Sequence, residues 1–127
     1  MTPPDENLAI SEVAERTGLS VHTLRYYERA GLMLAPILRA SSSHRAYTGR
    51  DVTWIIFLTK LRSTALPIKK VKEYADLARR GDDTRADRLE LLQRHRITVA
   101  AQLAEMQASL AAIDHKITLY SDRTPSA

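Results

Sequence analysis

A regular apolar seam near the end of the chain is the feature that most constrains its fold. Ten positions follow alternating steps of three and four, and nine of them are apolar or aromatic: 89, 92, 96, 99, 103, 106, 110, 113, 117 and 120. This period over four heptads predicts a coiled coil. A helix of ~35 residues spans roughly 50 Å, which is longer than a small domain could cover. The helix therefore needs a partner.

A second copy of the chain is the simplest partner, and the alternative is packing along its own domain. For a homodimer, we assign dimerisation to the seam residues Leu92, Val99, Leu103, Met106, Leu110, Ile113 and Ile117.

The composition excludes several classes of protein. The chain has 127 residues, enough for one domain or a small domain with an extension and too few for a multidomain enzyme. It has no cysteine, which excludes a disulfide framework, a thiolate metal site and a thiol redox switch. Four glycines among 44% hydrophobic residues favour a mostly helical fold. No apolar run is long enough to span a membrane and no signal peptide is visible, so we expect a cytoplasmic protein.

Charge is unevenly distributed between the two halves. Residues 1–80 contain 13 Lys and Arg against 8 Asp and Glu, whereas residues 81–127 contain 6 against 7. Residues 16–50 carry six arginines and one acid. This asymmetry indicates either a front half that faces a polyanion or a solvated basic surface without a partner.

The first fifty residues predict a helix-turn-helix with a small wing. Apolar spacing predicts a helix from Ile10 to Gly18, and Ser20 is a good N-cap for a second helix that ends at Gly31. Two short strands with a polar turn at 41–43 are predicted between Gly31 and Thr48.

Two further helices are predicted after the wing. Thr48 and Asp51 form a capping box for a third helix, and Pro67 suits the first turn of a fourth. The segment 81–84 interrupts the helical pattern between the fourth helix and the seam.

Catalysis has little support, because the four histidines are scattered and no nucleophile or phosphate-loop motif is present. By contrast, the second helix and the wing bring together groups that suit nucleic acid. Arginine donates to phosphates or to guanine, and tyrosine can bond phosphates or pack on sugars, although either Tyr26 or Tyr27 is expected to lie partly in the core. The candidate contacts are Ser20, Val21, His22, Thr23, Arg25, Tyr26, Tyr27, Arg39, His44, Arg45 and Tyr47.

Three strings closely resemble the MerR family of bacterial transcription regulators: ISEVAERTGLS at 10–20, TLRYYERAGL at 23–32 and HRAY at 44–47. The resemblance implies a mainly α fold with a winged helix-turn-helix, a helical pair and an antiparallel coiled-coil dimer. It also implies binding to palindromic promoter sites, with bending and untwisting of an over-long spacer so that RNA polymerase engages, in activation or repression. We expect a disordered leader at 1–7, a DNA-binding domain at 8–81, the dimerisation helix at 84–121 and a flexible tail at 122–127.

The chain departs from family patterns at three points. Ser43 and Ala65 stand where glycine is common in the wing and at the end of the third helix. The segments 54–68, 88–95 and 113–120 resemble sensors of aldehydes and nitrogen species, which usually carry a reactive cysteine that this chain lacks. We therefore expect no cofactor and no metal. Trp54, Tyr74 and Tyr120 are the candidate residues for a small-molecule effector site. The alternative, which we favour, is that these aromatics are core residues.

Three other functions compete with the regulator. An excisionase-like architectural DNA-binding factor has a similar winged helix-turn-helix, which we call the head, but the long coiled coil argues against such a factor. A coiled-coil adaptor without DNA is disfavoured by the arginine-rich helix and wing. An effector-independent regulator remains an alternative within the same class.

Overall fold

The computed structural model describes residues 7–35, 37–39 and 45–123. The elements are, in order, α1 (Ile10–Thr17), α2 (Val21–Arg29), β1 (Leu38–Arg39), β2 (Arg45–Ala46), α3 (Gly49–Ser63), α4 (Ile68–Arg79), a 3-10 turn (Asp82–Thr84) and α5 (Arg85–Arg123). The chain divides into two compact units, one that ends at Glu90 and one that begins at Leu91. The predicted fold class, mainly helical with a small wing, is confirmed.

The helix-turn-helix is defined by its caps. α1 ends at Gly18, whose φ of +74° is accessible to glycine and whose N–H donates to the carbonyl of Ala14 at 2.9 Å. The hydroxyl of Ser20 accepts the backbone N–H of Thr23 at 3.0 Å and thereby caps α2. The predicted boundaries at Gly18 and Ser20 are therefore confirmed, whereas α2 ends at Arg29, two residues before the predicted end at Gly31.

The wing is a two-stranded antiparallel sheet. Its register pairs Leu38 with Ala46 and Arg39 with Arg45. Directly after β2, Tyr47 forms an isolated bridge to Leu8, with backbone hydrogen bonds of 2.7 and 2.9 Å. This bridge ties the segment before α1 to the base of the wing. The predicted polar turn at 41–43 lies outside the described residues.

The helical pair begins at the predicted capping box. The backbone N–H of Thr48 donates to the Asp51 carboxylate at 2.9 Å, and the Thr48 hydroxyl accepts the N–H of Asp51 at 3.2 Å. Pro67 lies one residue before α4 and is its N-cap, so the prediction that it lies inside the first turn was one residue off. A proline suits either place, because it has no N–H to leave unpaired.

The core of the first unit joins α1, α2 and the helical pair. Nine of its apolar and aromatic side chains are essentially inaccessible to solvent: Leu8, Val13, Leu24, Leu32, Tyr47, Ile55, Leu58, Val71 and Ala75. Burial of this apolar surface is the main source of stability for the unit.

The long helix α5 buries none of its side chains within one copy of the chain. Its 39 residues correspond to a length of about 58 Å. It begins at Arg85 and ends at Arg123, close to the predicted limits of 84 and 121. Among the helices of the described residues, none combines the length and apolarity needed to cross a membrane.

Ala65 follows α3 with a φ of +68°, and it is the one described residue other than glycine with positive φ. This is one of the two positions at which the sequence has another residue where the resemblance implies a glycine. An L-residue in the left-handed region carries a steric cost that glycine avoids.

We therefore expect Ala65→Gly to raise the free energy of unfolding by about 1 kcal/mol, because the exposed Ala65 methyl makes no compensating core contact. Ala78→Gly, inside α4, is the control and should lower it by about 1 kcal/mol. Urea denaturation measures both changes. A loss of stability in Ala65→Gly would contradict the strain at this position.

Candidate nucleic-acid interface

α2 divides its side chains between the core and the surface. Leu24 and Tyr27 are buried, whereas His22, Arg25 and Tyr26 are exposed. These exposed residues lie at helical spacing on the opposite side from Leu24 and Tyr27. α2 therefore presents an arginine, a phenol and an imidazole to the outside.

Ser20 and Thr23 serve first as the cap of this helix. The Ser20 hydroxyl donates to the hydroxyl of Thr23 at 3.0 Å, in addition to accepting the Thr23 N–H. Val21 and Thr23 are half-buried. The cap thus fixes the residue at which α2 begins. The two hydroxyls lie at the N-terminus of the helix, next to its exposed side chains.

The two adjacent tyrosines have different environments. Tyr26 is 40% exposed and Tyr27 only 6%, with their ring centroids 6.3 Å apart. Tyr47 is 1% exposed. The sequence-based assignment of Tyr47 to DNA contact does not fit its burial, because its hydroxyl lies inside the core. Tyr27 lies mostly in the core, as expected for one of the two adjacent tyrosines, and its assignment to DNA contact stays a prediction. Of the two adjacent tyrosines, Tyr26 is the one available at the surface.

Arg29 was missed in the sequence analysis. It is exposed in the last turn of α2, four residues after Arg25 and seven after His22, and so shares their face. That spacing was the signal that could have identified it.

The wing arginines lie at opposed positions of the sheet, because Arg39 pairs with Arg45 in the backbone register. His44, the remaining candidate of the wing, lies outside the described residues.

Side chains of the helical pair hold the segment that connects α2 to the wing. The indole N–H of Trp54 donates to the carbonyl of Leu32, and Nη1 of Arg79 donates to the carbonyls of Gly31 and Met33, each at 2.7 Å. Three successive carbonyls without strand partners are thereby satisfied. We call these three hydrogen bonds the carbonyl clamp. The clamp holds the start of the wing segment against α3 and α4.

The predicted effector residues do not share one environment. Trp54 and Tyr74 are buried and stacked, with ring centroids 5.6 Å apart and planes at 10°, and Phe57 packs on Tyr74 at 5.7 Å. These rings fill the core between α3 and α4, as the alternative in the sequence analysis held. Tyr120, in the second unit, is 64% exposed, with the Lys116 ammonium 5.9 Å from its ring centroid.

Replacement of Arg79 tests the carbonyl clamp. Arg79→Met keeps the apolar stem but removes the two hydrogen bonds to the carbonyls, together with the solvent-exposed ion pair to Asp76, which contributes little. We expect the free energy of unfolding to fall by about 1–2 kcal/mol. Arg80→Met is the matched control, since Arg80 is exposed at the C-cap of α4; its effect should stay within about 0.5 kcal/mol. Guanidinium denaturation followed by circular dichroism measures both. Equal effects of the two changes would contradict the clamp.

Comparison with known proteins agrees with this architecture. The family described as MerR HTH family regulatory protein matches residues 8–77, and the family described as MerR, DNA binding matches residues 52–126. An uncharacterized HTH-type transcriptional regulator of Haemophilus influenzae is 33% identical over 110 residues, which are 87% of this chain and 81% of that protein.

Two further proteins are similar. The HTH-type transcriptional regulator AdhR of Bacillus subtilis is 41% identical over 83 residues, which are 65% of this chain and 59% of that protein. The crystal structure of HiNmlR, described as a MerR family regulator lacking the sensor domain and bound to promoter DNA, has a TM-score of 0.81 and 31% identity, and the match covers 91% of each chain. The resemblance predicted from the sequence is confirmed: the chain belongs to the MerR family of helix-turn-helix DNA-binding transcription regulators.

Proposed function

We propose that the protein binds a palindromic promoter site as a homodimer, with α2 in the major groove and the wing beside it. The exposed face of α2, with His22, Arg25 and Tyr26 next to the Ser20 cap, is the observation that carries this proposal. A helix-turn-helix places the N-terminal part of its second helix against base edges. The net positive charge of residues 1–80 favours approach to the phosphates.

Each exposed group has a distinct use against DNA. Arg25 has the planar donor fork that suits the O6 and N7 atoms of guanine. The Tyr26 hydroxyl and Arg29 suit phosphate oxygens, which set the orientation of the head on the duplex. We propose that Arg39, His44 and Arg45 of the wing bind the flanking backbone.

The seam of α5 supports dimerisation. Within one copy five of the assigned dimerisation residues are open to solvent, with exposures between 56% and 70%, namely Leu103, Met106, Leu110, Ile113 and Ile117, and the other two, Leu92 and Val99, are half-buried. A contiguous apolar surface of this kind is typical of an interface. A two-fold dimer also explains why the site should be a palindrome, because each head reads one half.

Regulation follows from distortion of the promoter. Binding of two linked heads to half-sites imposes a spacing on the DNA, and bending or untwisting of a spacer costs free energy that the protein contacts must offset. HiNmlR, over almost its whole length similar to this chain, has been crystallised on promoter DNA. We propose that the distorted spacer brings both promoter elements into reach of RNA polymerase in activation, and that the same occupancy represses in the undistorted geometry.

The stacked Trp54 and Tyr74 favour a regulator that acts without an effector. Both rings are buried and pack against each other, so neither presents a free face to a ligand. Since the chain has no cysteine, thiol-reactive compounds have no thiol to modify. A regulator that responds to a small-molecule effector is the second candidate. In either case the protein acts on DNA, in the cytoplasm and with the nucleoid.

Arg25→Ala tests base reading by α2. We expect its affinity for the operator, taken as the fragment upstream of its own gene, to fall by about 1–3 kcal/mol, with a smaller loss on scrambled DNA. Arg123→Ala, at the last residue of α5, removes the same charge outside the head and should leave the affinity unchanged. Fluorescence anisotropy at fixed salt measures both. If Arg25→Ala binds as tightly as the wild type, α2 does not read the site through this residue.

Leu103→Asp and Leu110→Asp test the interface. Each places an unpaired charge in the seam, at a cost of several kcal/mol, and we expect monomers at micromolar concentration. Ala108→Asp makes the same change of charge on the face of α5 opposite the seam and should remain dimeric. Sedimentation velocity distinguishes the two states. Dimers in both seam variants would show that the interface lies elsewhere.

A further inference from the structure

The seam of α5 is symmetric about its own midpoint, which lies between Ala104 and Glu105. The pairs of positions 103 and 106, 99 and 110, 96 and 113, 92 and 117, and 89 and 120 each lie equally far on either side of it. If two copies pack antiparallel about this midpoint, every seam position faces a seam position of the other copy. No apolar position is then left over.

We propose that Arg96 of one copy pairs with Asp114 of the second copy, and that this ion pair sets the orientation and register of the coiled coil. The proposal rests on the homodimer proposed above. Arg96 is the one charged residue among the ten seam positions. A single polar residue in such a seam commonly specifies register and partner geometry at some cost in stability.

Knobs-into-holes packing brings the two groups together. In the antiparallel register Arg96 lies opposite position 113, so its hole is formed by Leu110, Ile113, Asp114 and Ile117 of the second copy. Three of these residues cover the carbon stem of the arginine, and the fourth supplies a carboxylate for the guanidinium. By two-fold symmetry the pair forms twice in each dimer.

A parallel dimer gives Arg96 an unfavourable environment. There it faces Arg96 of the other copy, in a hole completed by positions 92, 95 and 99, which hold Leu, His and Val. Two guanidinium groups then meet in the seam without a carboxylate, so the parallel arrangement is disfavoured by charge repulsion. Between residues 97 and 113 only Glu105 is charged, and it lies off the seam, so no other charge there sets the orientation.

Both side chains are available for this contact. Arg96 and Asp114 are exposed on α5. In the part of the chain that the structure describes, neither side chain forms a hydrogen bond or ion pair with its own copy. The Thr118 hydroxyl bonds the backbone carbonyl of Asp114 at 3.1 Å, which leaves the carboxylate open.

Charge reversal in the full-length protein tests the pair. We expect Arg96→Asp and Asp114→Arg each to raise the dimer dissociation constant about tenfold or more, and the double variant to associate about tenfold more tightly than either single one. Arg94→Asp is the matched control, two residues earlier and on the face opposite the seam, and should change the constant less than about threefold. Analytical ultracentrifugation measures all four variants.

Disulfide trapping tests the orientation, against the clean background of a chain without cysteine. In the proposed register positions 92 of the two copies lie about 37 Å apart, whereas 92 lies opposite 117. A disulfide requires Cα atoms within about 7 Å. We therefore expect oxidation to link chains that carry Leu92→Cys to chains that carry Ile117→Cys, and not to link Leu92→Cys chains to one another.

The outcomes separate this inference from the proposed function. If the double variant is as weak as the single ones while the wild type dimerises and binds its operator, the ion pair is wrong and the proposed function stands. A disulfide between two Leu92→Cys chains would overturn the antiparallel register. A wild type that is monomeric at micromolar concentration would overturn both.

Discussion

The apolar seam of α5 is a surface that a single copy of this chain does not bury, and the proposed function depends on its being covered. Its residues remain largely exposed along a helix of about 58 Å, although each would contribute substantially if buried. A second copy supplies the same seam, and the symmetry about residues 104 and 105 places every seam position opposite a seam position of the other copy. Two heads then follow from one interface, and with them a two-fold DNA site.

In the head, the buried side chains position α2, and its exposed side chains are the candidates for DNA contact. Leu24 and Tyr27 bury one side of α2, so Arg25 and Tyr26 are directed outward. The carbonyl clamp extends this control to the segment that enters the wing, through hydrogen bonds from α3 and α4. Changes in the helical pair can therefore alter DNA binding without removal of any contact to DNA.

Local features of the fold were predictable from the sequence, and long-range ones were not. The Ser20 cap, the Thr48–Asp51 box and the Gly18 terminus depend on neighbours within a few residues, so composition and spacing reveal them. Which tyrosine of 26 and 27 is buried depends on how α2 packs, and the burial of Tyr47 depends on its bridge to Leu8. The hydrogen bonds from Arg79 join residues that are 46 and 48 positions apart, so no local sequence pattern predicts them.

The central claim is that two linked copies read one palindromic site. Its most direct test is the mass of the complex between the wild-type protein and a promoter fragment that contains one dyad, measured together with its affinity for an isolated half-site. The account predicts two chains on each fragment, half-sites whose centres are separated by a multiple of about 10 base pairs, and much weaker binding to one half-site. One chain per fragment, or equal affinity for the half-site and the full site, would contradict it.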